Sequence, residues 1–488
     1  MAEAPELDGY LDEGAYPSNF NADLSPVVVD TALRWAGIAR GPARAPFRML
    51  DIGCGDGVSL ALIAASHPEA EILGFDAMPE AIASGQRFAQ AAGVPLTLVV
   101  ETFETALARD WPAFDLISCQ GVISWVSPEN RARVMRLIGR LLAPGGAFVV
   151  GYNAMPGWSN RIALQQMLHR WAMGLPGTPA ERFQAAVDRL FELQAAGVLA
   201  LPEKELTSLV EMQKHLPPDY FPHEYLNEHW QPLWSLDVKR ALAAEGLAFA
   251  AQTRFIRFRE DYALRKAQRA ALTDRDPALR DAEIDAFTHT GFRVDIYTRD
   301  AVLGDRAETR AQAWFAANKR PDDASYDCRT PAGRLTFDND AARAVMRALE
   351  DGPRRWGDLL AACDQPLEDL DEAVDALLIS QLIQPAAPPA ETPRAEALNV
   401  HLIQAASAGA GGLNGLVGRH GPVRVSRADL ALLAASATEI VARARRDPAY
   451  AARIFEPDLD LSSDETLEHT TDAQRDLRAA LRRVGVTV

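Results

Sequence analysis

Across 488 residues the chain carries 50 lysines and arginines against 67 aspartates and glutamates, a formal charge of −17. A chain this long outgrows a single core and is expected to divide into about two to four domains; its apolar runs stop short of the roughly 20 residues that span a bilayer, which excludes a helical membrane protein. The acidic balance argues against general nucleic-acid affinity, which cations supply, and suits a basic or amine-bearing partner.

The opening MAEAPELDGY is acidic where a secretory leader is basic, so a soluble, cytoplasmic protein is expected. Cys54, Cys119, Cys328 and Cys363 are scattered without the paired spacing of a zinc site or disulfide frame, so no metal is expected. Residues 1–46 contain Tyr16-Pro17-Ser18-Asn19-Phe20 and then Ser25-Pro26, a cap and first-turn proline for a helix through Trp35. This segment is expected to form an N-terminal helical lid.

From 47 to 152 strands and helices alternate at α/β spacing, with strands at 47–51, 71–75, 96–100, 114–118 and 146–152 and helices near 58–66, 79–92 and 129–142. The alternation predicts a doubly wound parallel sheet, with Pro144-Gly145-Gly146 punctuating the approach to the fifth strand. The first strand-turn-helix carries Asp51-Ile52-Gly53-Cys54-Gly55-Asp56-Gly57. Glycines at alternate positions supply a sharp turn that a ligand can approach closely. The spacing Gly-x-Gly-x-Gly, with an acid two residues ahead, suits S-adenosylmethionine; the Gly-x-Gly-x-x-Gly of a dinucleotide site is the disfavoured alternative. Asp76, ending the second strand, stands where a carboxylate accepts both ribose hydroxyls of a nucleoside.

Amphipathic helices follow at about 159–173, 179–196 and 203–214, ending at Pro217-Pro218. Residues 236–245 read as a helix, Gly246 breaks it, and 247–251 read as a strand that the alternation over 253–259 continues. The simplest account is a catalytic domain over 47–260 with a helical insertion at about 158–232. The weak, charged signal over 261–336 reads as a connecting region. Residues 337–384 have a winged-helix-like layout, with a helix from Ala341, helices near 356–363 and 367–380 and the apolar edge Leu382-Ile383. Asp358, Glu368, Asp369 and Asp371 leave that module without the basic face of a DNA reader, so docking of a partner or of a second copy, as in a homodimer, is the expectation. Pro385, Pro388, Pro389 and Pro393 make 385–395 a stiff linker. The remainder, 396–488, is expected to be a helical domain interrupted by a plain loop over 409–421.

Three further motifs follow the glycine run in order: Cys119-Gln120-Gly121-Val122-Ile123-Ser124-Trp125-Val126, Gly151-Tyr152-Asn153-Ala154-Met155-Pro156-Gly157-Trp158, and His223-Glu224-Tyr225-Leu226-Asn227. With the glycine run they resemble bacterial class I methyltransferases that carry a methyltransferase regulatory domain, a family that includes the rickettsial protein lysine methyltransferases. The resemblance covers roughly residues 10–300. It implies a Rossmann-like catalytic domain, S-adenosylmethionine as donor, and a polypeptide side-chain nitrogen as the leading acceptor. Joined to the pattern above, the expected fold is α/β: a Rossmann-like class I methyltransferase sheet with a helical insertion, then mostly α C-terminal domains including the winged-helix-like module.

The donor-side residues are then Asp51, Gly53, Cys54, Gly55, Gly57, Asp76, Ala77, Met78, Thr102, Phe103, Cys119 and Gln120. One departs from the family pattern: an acid usually ends the third strand to meet the adenine amino group, and here Thr102, with Glu101 beside it, stands there and can accept one hydrogen bond. Acceptor-side candidates at the C-terminal edge of the sheet are Trp125 as an apolar wall or cation–π partner, then Tyr152 and Asn153. Tyr16 and Phe20 from the lid could close the cage, and His223 with Glu224 could bind substrate or act as base. Each has an ordinary reading too: core packing for Trp125 and Cys119, a turn for Tyr16 and for Asn153, and a surface position for His223.

Methyl transfer to lysine asks for orientation, dry surroundings and loss of a proton, whereas an amide acceptor asks for a stronger base or a group that polarises its carbonyl. The expected activity is N-methylation of a protein or peptide side chain, lysine first. Amide methylation of a peptide precursor, methylation of a small metabolite and a non-catalytic cofactor-binding scaffold are the alternatives. Neither nucleic acid nor membrane is an expected partner.

Overall fold

The computed structural model describes residues 20–39, 46–198, 203–215, 220–273 and 276–388, with short stretches elsewhere. Helix α1 (Pro26–Trp35) starts as its sequence dictates, behind an extended Ser25 and with Pro26 in the first turn. The helix is a bridge, not a lid. Val29, Ala32 and Leu33 sink into the core on one face of the main sheet, while Trp35 enters a second core built further along the chain. Among the described residues of this segment, Asn21 and Leu24, at the start and end of the 3-10 turn ahead of it, reach the cavity described below.

Strand β1 (Arg48–Ile52), α2 (Val58–Ser66), β2 (Glu71–Asp76), α3 (Pro79–Ala91), β3 (Thr97–Val100), α4 (Phe103–Ala108), β4 (Phe114–Gln120), α5 (Pro128–Leu141) and β5 (Leu142–Asn153) then alternate. β4 shows the cause: Leu116, Ile117, Ser118 and Cys119 are all buried, the continuous run of a strand covered on both faces. α5 passes directly into β5, so Pro144-Gly145-Gly146 lies inside the strand instead of ahead of it. Gly145 takes a φ of 78° and the pairing with β4 shifts register there, which makes the triplet a bulge.

Helices α6 (Ile162–Ala172), α7 (Pro179–Ala195), α8 (Glu203–His215) and α9 (Tyr220–Tyr225) build a separate core, in which Phe183 and Phe221 stack at 5.4 Å. α10 (Ser235–Ala244) and β6 (Ala248–Gln252) return the chain to the sheet. The strand stops there. Residues 253–259, expected to extend it, contain the 3-10 turn Phe255–Phe258, whose two end phenylalanines pack against the second core.

After α11 (Glu260–Ala263), α12 (Lys266–Ala271) and α13 (Pro277–Thr288), β7 (Phe292–Thr298) slots between β5 and β6, antiparallel to both. The sheet is therefore mixed and not wholly parallel, in the order β3-β2-β1-β4-β5-β7-β6. It also does not close at residue 260, since the stretch expected to connect domains supplies one of its strands. Leu60, Ile63 and Ile82 cover one face, and Ala106, Leu137, Ile138 and Val238 cover the other.

Beyond the sheet come α14 (Arg306–Ala311), β8 (Trp314–Ala317), the hairpin β9 (Asp327–Thr330) and β10 (Gly333–Thr336), α15 (Asp340–Ala348), β11 (Arg354–Arg355), α16 (Trp356–Ala362), α17 (Leu367–Ile379) and β12 (Ile383–Ala386). β8 lies between β11 and β12, antiparallel to each, and Phe315, Val345, Trp356 and Leu377 share a core with Trp35. β8 precedes the span 337–384 read as a module, and Pro385, read as linker, pairs with Phe315 in strand β12. A hairpin of β13 (Gly415–Gly418) and β14 (Gly421–Arg424) stands where a plain loop was expected, and its Leu416 joins the main-sheet core. Most of 389–488 lies outside the described residues. Among the described residues no helix is long and apolar enough to cross a membrane.

Candidate active site

The C-terminal ends of the parallel strands open onto a cavity of about 1,670 Å³, whose far wall includes residues of α9 and of the segment following β5. Between β1 and α2 the chain turns through Gly53, Gly55 and Gly57 with φ of 72°, 55° and 67°, angles that favour glycine. A Cβ at Gly53 would come within 2.5 Å of Val122; at Gly55 it would meet nothing, because that position faces the open cavity. The Phe75 carbonyl accepts from the amides of Gly53 and Cys54 at 2.9 and 3.0 Å, which ties the turn to β2.

Asp76 completes the tie. One of its carboxylate oxygens accepts from the Gly55 amide and the other from the Met78 amide, each at 2.9 Å, and further lone pairs remain on both oxygens. Burial raises its pKa above the usual carboxylate range, with the backbone amides acting in opposition. Asp51, buried beneath the turn, accepts from the Ser118 hydroxyl at 2.6 Å, and burial pushes its carboxyl up to about 7. Thr102 caps α4: its hydroxyl accepts from the Thr105 amide at 3.1 Å, and its own amide donates to the Thr105 hydroxyl at 2.9 Å. That cap uses one of the two lone pairs on the oxygen expected to meet an adenine, and Thr102 and Phe103 line the cavity, as does Glu101 in its 2.6 Å ion pair with Arg109. Gln120 Oε1 is buried there without a hydrogen-bond partner. A glycine turn under open space, a carboxylate with spare lone pairs and an orphaned buried amide oxygen fit a hydroxyl- and amine-bearing nucleoside.

The other end is aromatic and acidic. Trp158 donates from Nε1 to the Gly291 carbonyl at 2.8 Å and meets Trp230 edge-on at 5.1 Å, and Trp125 lies 6.4 Å from the same ring. Asn153 ends β5 with its Nδ2 buried and lacking a close hydrogen-bond partner, yet near enough to Glu224 to favour the charged form of that carboxyl. The Tyr220 hydroxyl donates to Glu224 Oε2 at 3.3 Å. Burial pushes the Glu224 carboxyl up to about 7, against the pull of Tyr220, Asn153 and the more distant Arg161.

Of the residues singled out from the sequence, Asp51, Gly53, Cys54, Gly55, Asp76, Ala77, Met78, Thr102, Phe103, Gln120, Trp125, Asn153, His223 and Glu224 line this one cavity. Four others do not. Gly57 lies beside Leu98, and Phe20 is 2% exposed in the sheet core. Cys119 and Tyr152 are wholly buried, the latter donating its hydroxyl to Asp295 at 2.8 Å. Neighbours along a strand point to opposite faces, so where Gln120 and Asn153 take the cavity, Cys119 and Tyr152 cannot. Tyr16 lies outside the described residues. Trp158, Arg161, Tyr220, His289 and Phe292, to which the sequence alone gives no role, also line the cavity. Trp158 ends the motif that follows the fifth strand, a signal the sequence does carry; His289 and Phe292 depend on β7, whose place in the sheet no local pattern shows.

Residues 49–146 match the family model of a methyltransferase domain, and residues 217–299 match that of a predicted methyltransferase regulatory domain. With the glycine turn and the sheet order, these matches define an S-adenosylmethionine-dependent methyltransferase. More particularly, the residues that match the regulatory-domain model contribute α9, α10, β6 and β7, and hence both a wall of the cavity and the closing strands of the main sheet. An uncharacterised protein of Synechocystis sp. is 26% identical over 362 residues, 72% of this chain and 71% of that protein. The trans-aconitate 2-methyltransferase of Methylobacterium nodulans is 34% identical over 151 residues, 30% of this chain and 52% of its own. The structure of PKMT2 from Rickettsia typhi in complex with AdoHcy has the same fold, with a TM-score of 0.69 at 16% identity over 97% of this chain and 100% of that one.

Proposed function

We propose that this methyltransferase modifies a side-chain nitrogen of a protein or peptide, lysine before any other, in the cytoplasm. The carrying observation is the composition of the cavity. Asp51, Asp56, Asp76, Glu80, Glu101, Glu104 and Glu224 line it against Arg87, Arg133 and Arg161. That field draws in a cation and opposes a polyanion such as the substrate for which the Methylobacterium nodulans relative is named. The volume of about 1,670 Å³ also exceeds the roughly 300–1,000 Å³ of an ordinary small-ligand pocket, leaving room for an acceptor side chain beside the donor.

When bound, S-adenosylmethionine supplies an electrophilic methyl group on a sulfonium. Gly53, Gly55, Asp76, Met78, Phe103 and Gln120 would hold it. The protein has then to orient an amine, exclude water and let the nitrogen reach the donor uncharged. Trp125 and Trp158 offer ring faces to an entering ammonium, and the enclosed surroundings favour its neutral form. An amide acceptor would need either a base far stronger than a carboxylate or a cation to polarise its carbonyl. Arg161, the guanidinium at this end, is engaged by Glu205 at 3.1 Å and Ser208 at 2.6 Å, which favours lysine. In this reading the partner is the acceptor polypeptide, neither nucleic acid nor membrane takes part, and the C-terminal module docks that partner or a second copy.

Incubation with methyl-labelled S-adenosylmethionine and a cell lysate, followed by mass mapping, should find the label on lysine in a polypeptide. Label confined to small molecules, or carried by asparagine or glutamine, overturns the reading.

A further inference from the structure

We infer that Glu224 takes up the proton that the acceptor ammonium must lose before transfer, with Tyr220 and Asn153 as positioning residues. The inference rests on the amine reading above and adds a catalytic group to it.

The argument begins with α9. A helix of six residues, Tyr220–Tyr225, presents Tyr220, His223 and Glu224 to the same cavity that Asn153 and Trp158 line. Glu224 keeps part of its surface open to that cavity, while Tyr220 donates to one carboxylate oxygen at 3.3 Å. No described lysine or arginine forms an ion pair with it; the Arg161 guanidinium, whose charge acts on it without an ion pair, is committed to Glu205 on α8. A carboxylate that is enclosed, hydrogen-bonded and without a permanent counter-ion is a base waiting for a cation, and burial pushes it up to about 7. The charged or titratable groups around it are Arg161 from the 3-10 turn after β5, Glu205 behind that arginine, and His223, Tyr220 and Tyr225 on its own helix. Asp51 has a similarly raised pKa, but it lies beneath the glycine turn with Ser118 as its partner.

The balance is simple. An ammonium R–NH3+ gives one proton to a Glu224 oxygen, leaving R–NH2 with a free electron pair and a neutral carboxyl. That pair forms the new N–C bond as the C–S pair stays with sulfur, the methylated ammonium keeps its two protons, and the carboxyl later releases its proton to water.

The test compares wild type, Glu224→Gln and Glu224→Asp with S-adenosylmethionine, using polylysine and the lysine peptide mapped from the lysate as acceptors. Glu224→Gln should lower kcat at pH 7 by about 10²–10⁴-fold. The deficit should shrink toward pH 10, where solvent itself deprotonates the acceptor amine, and the acidic limb near pH 7 in the wild-type profile should vanish. Glu224→Asp should restore part of the rate. Calorimetric affinity for S-adenosylhomocysteine should stay within a few-fold of wild type. Infrared difference spectra between pH 5 and 9 should lose one titrating carboxyl band in Glu224→Gln. A Glu224→Gln protein with the wild-type rate and pH profile overturns the inference, as does a loss that is equal at every pH and accompanied by lost S-adenosylhomocysteine affinity. A wild-type protein that methylates no amine overturns the amine reading and this base together, whereas amine methylation that is indifferent to residue 224 overturns only the base.

Discussion

Asp76 shapes the turn and faces the ligand at once, because its two oxygens hold the amides of Gly55 and Met78 while the residue lines the cavity. Asparagine there would set an N–H against one of those amides. Hydrogen bonds to a charged group are worth about 1.5–3 kcal/mol, so Asp76→Asn should weaken S-adenosylhomocysteine binding by roughly 10- to 100-fold in a calorimetric titration; unchanged affinity would sink the assignment. Asp51 adds a pH dependence. Its carboxyl has a usual value of 3.8 and stands at about 7 in the fold, so the folded protein holds this proton more tightly than the unfolded chain does. The stabilisation is complete below the unfolded value and is lost as pH rises through the folded one. Glu224, also raised, acts in the same direction. The ligand-free protein should therefore show a lower thermal midpoint at pH 8 than at pH 5, and Asp51→Asn, which keeps an acceptor for the Ser118 hydroxyl, should narrow that fall. An identical fall in both proteins would remove Asp51 from the account. At this scale the sequence was legible wherever a residue's role depends on its immediate neighbours, as in the glycine turn. Alternation along β4 and β5 also carried usable information, since it separates Gln120 from Cys119 and Asn153 from Tyr152.

Strand β7 explains what stayed hidden among the elements. Arg293, Asp295 and Tyr297 alternate with Val294 and Ile296, a pattern that normally marks one wet face, yet all five are 0% exposed. Their partners lie elsewhere in the chain. Arg293 reaches Asp295 at 2.9 Å and Asp281 at 2.8 Å and also pairs with Asp285, while Lys239 and Arg257 bring further positive charge to Asp281. A local window cannot see that α10 and α13 neutralise a strand's charges, whereas β1 and β4 are so largely apolar that no distant partner is needed to recognise them. The aromatic–arginine alternation over 253–259 misled in the opposite sense: Phe255 and Phe258 are three apart and share a face of a 3-10 turn, not of a strand. Arg293→Met would leave Asp281, Asp285 and Asp295 under-compensated. Breaking a buried charge network costs about 3–5 kcal/mol, which urea unfolding would read; a loss under about 1 kcal/mol would show the network to be incidental. Because Arg293 and Phe292 pair with Tyr152 and Asn153, the same variant should lower methyl transfer more than it weakens S-adenosylhomocysteine binding.

For the whole molecule the deciding contact joins Trp35 to a helix 340 residues away. The indole Nε1 donates to Asp375 Oδ1 at 2.8 Å, the Arg310 guanidinium lies 4.4 Å above the ring, and Phe315 meets it edge-on at 5.4 Å. Arg259 also approaches Asp375, at 3.5 Å, and the Tyr262 hydroxyl donates to Glu372 at 2.7 Å, so the chain leaving the sheet is stitched to α17 as well. From the sequence the C-terminal module looked separable, because a proline-rich stretch follows it and nothing local announces that its core borrows a tryptophan from α1. Yet α1 also packs on the main sheet, and the turn before it brings Asn21 and Leu24 to the cavity. One short segment thus touches the donor end of the site, the catalytic sheet and the terminal module. Truncating a buried tryptophan costs about 3–5 kcal/mol, and here the loss falls on a junction between two cores. The wild type should therefore unfold in one cooperative transition and Trp35→Ala in two, with the module melting first and S-adenosylhomocysteine shifting only the later step. Trp35→Phe, which keeps the aromatic contact and loses the bond to Asp375, should fall between. A Trp35→Ala protein that still melts in a single unshifted transition would mean that the two cores stand independently and that α1 does not couple them.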